Sequence, residues 1–233
     1  MKLVRLKFRL LRQDFIKIFL LCFGIPIFTF LLIAGNKMIA SEWTAHEFLH
    51  VFFGSVMNLP LNWMYWIFLS FGYVLLLQIV WKPHAHMYEI YQILRYKDIG
   101  LYWQIELVVG FLFTVFYLFC YFAVMFTALS VLRVQALWDV QWVIILFAIT
   151  LNLFIHALIW LTLKMYTLVE VANIVSVLLF YAGVRIAEPY IPLYYAMVDH
   201  IKGYILSVFA MELVIILILA AFIIRKAKTM DLD

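Results

Sequence analysis

The stretch Leu107–Leu132, LVVGFLFTVFYLFCYFAVMFTALSVL, runs for 26 residues without one Asp, Glu, Lys or Arg. As a helix rising about 1.5 Å per residue it would outreach the roughly 30 Å hydrocarbon core of a bilayer. The whole chain shares this character: 233 residues, 68% hydrophobic, 13% charged, with a mean hydropathy of +1.07. A soluble domain of that size has too little interior for so much apolar surface. The excess must face lipid.

Working outward in both directions, five further apolar runs follow the same rule. The predicted spans are Ile16–Ala34, Leu61–Trp81, Leu107–Leu132, Val143–Leu163, Tyr166–Val184 and Tyr204–Ile224. The expected fold class is all-α: a polytopic membrane protein of six transmembrane helices forming one bundle over 16–224. Loops then alternate between two sides. The N-terminus, Trp81–Glu106, the turn at Lys164 and the tail 225–233 carry 13 of the 17 Lys and Arg residues. The other side has only Lys37, Arg133, Arg185 and Lys202. That bias assigns the first side, with both termini, to the cytoplasm.

The net charge of +4 comes from residues at helix ends and in the first segment. It therefore follows topology and does not imply nucleic-acid binding. Cys22 and Cys120 sit inside apolar runs and read as small packing residues, not as a disulfide or metal pair. The long basic start and the lack of a small-residue cleavage site argue against a removable signal peptide.

Residues 1–15 alternate basic and apolar groups. Leu3, Leu6, Leu10 and Leu11 share one helix face, and Lys2, Arg5, Arg9 and Arg12 gather on the other. This pattern predicts an amphipathic helix on an anionic leaflet. A plain positive flank that orients the first span is the alternative. Between the second and third spans, His84–Trp103 is polar with a helical pattern that ends with Gly100.

On the outer side, Thr44–Glu47 has capping-box spacing and predicts a helix running into Val51–Phe53. The same helix carries His46-Glu47-Phe48-Leu49-His50, an HExxH pattern. On a helix its two histidines face one way and suit zinc, with Glu47 as general base. Asp139, Glu188, Asp199 and His200 are the candidate third ligands. The plain alternative is a helix cap and two interfacial histidines.

Inside the spans, polar side chains stand out because they are costly in hydrocarbon and often mark function. They are Asn152 and His156, one turn apart; Glu170, with Asn173 one turn deeper; and Glu212. Glu212 is expected to meet Asn152, His156 or a wet cavity. No GxxxxGK[ST] phosphate loop occurs anywhere in the chain.

The layout resembles the permease subunit of a type-2 ABC exporter, and more narrowly the small permeases of bacterial antimicrobial or cytolytic peptide export and immunity. The more specific likeness is Gln92-Ile93-Leu94-Arg95-Tyr96-Lys97 followed by Tyr102-Trp103, which is similar to a Gln-x-Leu-x-Arg … Trp-Trp block of these proteins. Asp98, Ile99 and Glu106 depart from the pattern. The resemblance implies that residues 1–15 are an elbow helix, and that about His84–Gly100 is a coupling helix docking a separate ATPase through Tyr88, Tyr91, Leu94, Arg95 and Lys97. It implies short re-entrant helices in Arg185–Lys202. ATP and Mg would be held by the partner ATPase, with no cofactor on this chain. The permease would pair with itself or a sister permease among the lipids of a bacterial plasma membrane. A membrane zinc metallopeptidase and a non-transporting immunity or sensor protein remain the alternatives.

Overall fold

The computed structural model describes residues 7–9, 11–35, 45–56, 62–81, 99–131, 140–186, 188–189, 194–201 and 205–229. Among them there is no strand. Helices α1 (Phe15–Phe19) and α2 (Ile25–Gly35) are joined by a π-helical turn at Leu20–Gly24. There follow α3 (Ala45–Phe53), α4 (Asn62–Val80), α5 (Ile99–Val131), α6 (Val140–Tyr166), α7 (Val169–Arg185) and α8 (Ile205–Thr229). Among the described residues, five helical stretches are long and apolar enough to cross a membrane: Lys7–Leu32, α4, α5, most of α6, and α8. Helical form is what hydrocarbon demands, since no water is present there to satisfy backbone groups.

α6 is the central element. It packs against α5, α7 and α8, while α4 covers α7 and α2 lies against α4 and α5. α8 is the least buried of the long helices and presents Leu206, Val214, Leu217 and Ile218 outward. Two glycines leave room for side chains of neighbouring elements. A Cβ on Gly110 of α5 would run into the Trp81 indole, and one on Gly72 of α4 into Ile25.

Polar side chains also bind these helices together. Tyr73 of α4 and Thr114 of α5 share a hydrogen bond at 2.7 Å. Tyr117 donates to the Leu69 carbonyl at 2.9 Å, and Tyr121 to Thr29 at 3.2 Å. Helices α4 to α8 alternate in direction. At one end, Lys7 pairs with Glu106 at 2.9 Å, Trp81 donates to the Glu106 carbonyl at 3.3 Å, and Lys164 donates to the Trp81 carbonyl. This basic end also holds Lys226, whose ammonium lies 4.9 Å from the Tyr166 ring centroid.

Several boundaries differ from expectation. α5 starts at Ile99, eight residues before the predicted span, and buries Gly100 in its first turn, where a preceding helix was expected to stop. Contacts of Glu106 with Lys7 and Trp81 hold this early segment against the bundle. α8 continues to Thr229 and absorbs the start of the expected tail. The expected fifth span corresponds to α7, with 17 residues. The described part of the expected elbow is helical and continues into the first span through a 3-10 turn at Arg12–Asp14. The connection between α7 and α8, where short re-entrant helices were expected, contains 3-10 turns at Tyr194–Ala196 and Val198–His200 among its described residues.

Candidate functional site: a polar cluster inside the bundle

Asn152 and His156 stand four residues apart on α6 and therefore share a face. That face is turned inward: Asn152 is 3% exposed and His156 2%. From α8, Glu212 enters the same region and is 1% exposed. Its Oε1 accepts a hydrogen bond from Asn152 Nδ2 at 3.1 Å. Among the partners expected for Glu212, Asn152 is the one within hydrogen-bond distance.

His156 is fixed twice. Its Nδ1 lies 2.9 Å from the Asn152 carbonyl oxygen. A carbonyl only accepts, so Nδ1 carries the hydrogen, and Nε2 of the neutral ring is an acceptor. The ring also stacks on Phe180 of α7, with centroids 4.0 Å apart. Ser176, one turn earlier on α7, is buried as well. Four side-chain atoms here have no hydrogen-bond partner among the described residues: Asn152 Oδ1, His156 Nε2, Ser176 Oγ and Glu212 Oε2. Buried polar atoms are almost always satisfied, so four in one region call for a specific cause. Asn152 Oδ1 and His156 Nε2 are acceptors, and Glu212 Oε2 is one when the carboxylate is ionised. The cluster is thus suited to groups that bring hydrogens, such as amides, ammonium groups or a proton.

The other expected intramembrane residues are separate from this cluster. Glu170 is exposed in the first turn of α7. Asn173 accepts a hydrogen bond from Trp160 Nε1 at 2.8 Å, which joins α6 to α7 nearer the basic end.

The HExxH helix lies at the opposite end. His50 Nδ1 is 2.8 Å from Asp199 Oδ1, and Asp199 Oδ2 accepts from the Ser55 backbone N–H at 2.6 Å. Asp199, a candidate zinc ligand, thereby clasps α3 to the turn at Val198–His200. His200 faces elsewhere, with Nδ1 2.9 Å from the Tyr194 carbonyl and its ring stacked on Tyr194. Glu47 is exposed, and the side chain of His46 lies outside the described residues. Among the described residues no three His, Cys, Asp or Glu side chains are grouped to hold a metal ion. The expected docking residues Tyr88, Tyr91, Leu94, Arg95 and Lys97 also lie outside the described residues.

Sequence reasoning singled out Asn152, His156 and Glu212 but missed Ser176 and Phe180. Serine is too common in membrane helices to stand out, and Phe180 is one of 22 phenylalanines. No protein-family model, curated protein or solved structure matches the chain.

Proposed function

We propose that this chain is the membrane-spanning permease subunit of a transporter, exporting amphipathic or apolar peptides with energy from a separate ABC ATPase. The observation that carries this reading is the buried cluster of Asn152, His156 and Glu212, with acceptor atoms left unpartnered among the described residues. A peptide entering a bilayer brings backbone N–H groups that are costly to leave without acceptors. A bundle interior that offers acceptors lowers that cost, and polar groups at this depth ordinarily serve a passage or an ion path.

The remaining parts follow from the sequence. The chain has no phosphate loop, so ATP and Mg belong to the partner, docked at His84–Gly100. α7, at about 25 Å, is the fifth span in chain order and brings the total to six, and its short length is met by local thinning and by Arg185 snorkelling at its end. Residues 1–15 form the elbow, both termini are cytoplasmic, and two permease copies or a sister pair enclose the path.

Export of a fluorescent amphipathic peptide from the native host tests the cluster's role. Glu212→Leu and Asn152→Leu are expected to lower the export rate at least tenfold while the chain stays in the membrane at normal level. Export at the wild-type rate in both variants would remove the cluster from the transport path.

A further inference from the structure

A cleft of about 580 Å³ opens between the N-terminal helix and the wall formed by α4, α6 and α7. Its lining changes in character along the membrane normal. At the basic end it presents Asp14, Lys17, Gln78 and Lys164. Leu20 and Leu21 lie one turn deeper than Lys17 on a helix running away from that end. Leu75 lies one turn deeper than Gln78 on α4, which runs toward it. Polar groups therefore stand at one level and apolar groups at the next, on two elements of opposite direction. Trp160 and Trp81, stacked at 5.9 Å, close the back wall near the polar level.

We propose that this cleft binds an anionic glycerophospholipid, with the phosphate at Lys17 and Lys164 and an acyl chain along Leu20, Leu21 and Leu75. Among the described residues, the polar level brings two ammonium groups and one carboxylate to the cleft, a balance that favours an anion. Lys17 stands at the rim with its side chain 65% exposed, and donates one hydrogen to Asp14 at 2.8 Å. An ammonium carries three hydrogens, which leaves Lys17 two to offer a phosphate. Lys164 reaches the cleft while it holds the Trp81 carbonyl at the end of α4. Basic pockets between membrane helices at the cytoplasmic face are where anionic headgroups bind, and indoles sit at the same level. The volume suits a headgroup, its glycerol and the upper part of a chain. The site depends on the membrane-spanning fold and not on the transport reading.

The full-length chain, purified in detergent, tests this by native mass spectrometry and by thermal melting against added phosphatidylglycerol, phosphatidylcholine of the same chains, or inorganic phosphate. One retained phosphatidylglycerol is expected, with a rise in melting temperature that phosphatidylcholine and phosphate do not give. Lys17→Gln should weaken phosphatidylglycerol binding roughly fivefold, as loss of one surface cation does, and Lys17→Arg should keep it. Leu75→Trp, which fills the acyl level and leaves both lysines, should also weaken it. Equal response to the two lipids, or a full response to phosphate alone, would overturn the proposal. So would an unchanged phosphatidylglycerol preference in both Lys17→Gln and Leu75→Trp, which would assign the effect to the basic surface at large.

Discussion

Asn152 Nδ2 donates to one oxygen of a glutamate that is 1% exposed, and the remaining oxygens, Asn152 Oδ1 and Glu212 Oε2, have no hydrogen-bond partner among the described residues. Removing one partner should therefore be worse than removing both. Asn152→Ala is expected to lower stability by about 1–3 kcal/mol, since it strips the donor from a buried carboxyl. The double variant Asn152→Leu/Glu212→Leu should recover most of that loss, because an apolar pair needs no partner in this setting. Reversible unfolding in mixed micelles measures the cycle, and additive single effects would contradict the coupling. These two residues were legible in the sequence because each interrupts an apolar run. The hydrogen bonds Tyr73–Thr114 and Tyr121–Thr29 were not, since their partners lie 41 and 92 residues apart and neither residue type is unusual in a span.

At the scale of elements, most spans were legible because a bilayer imposes length and apolarity on contiguous residues. The ends of helices carry no such constraint. The added N-terminal part of α5, from Ile99, carries Glu106, which pairs with Lys7 with side chains 7% and 8% exposed. A pair separated by 99 positions gives no local signal in the sequence. Glu106, noted only as a departure from a family pattern, thus ties the N-terminal helix to α5. Lys7→Leu is expected to lower stability by about 3 kcal/mol, because it takes the cation from a buried carboxylate. The double variant Lys7→Leu/Glu106→Leu should restore much of it. Protease cleavage near residue 7 reports whether the segment has come away. No gain in cleavage for Lys7→Leu would contradict the tie. Helix α3 shows the same contrast: its capping-box spacing announced a helix, whereas Asp199, which clasps His50 from 149 positions away, was legible only as one of four candidate zinc ligands.

For the whole molecule, the helix directions place Lys7, Lys17, Lys164 and Lys226 at one end, while Arg185 closes α7 away from it. The sequence assigns that end to the cytoplasm through the distribution of Lys and Arg. Single-cysteine labelling in intact cells should therefore mark positions 37 and 133, and spare positions 97 and 226. External labelling at 97 would invert the topology or change the number of spans. The transport reading makes a stricter demand, since a chain without a phosphate loop needs an ATPase partner to do ATP-driven work. Tyr91 and Leu94 belong to the expected docking segment His84–Gly100, which lies outside the described residues except at its end, and aromatic side chains are common anchors of interfaces. The most direct measurement is ATP hydrolysis that co-purifies with the chain from native membranes. The wild-type chain is expected to bring down a stable ATPase activity, and Tyr91→Asp/Leu94→Asp to lose it while remaining inserted. Equal activity in both preparations, or none in either, would contradict the assignment of this chain as a permease subunit.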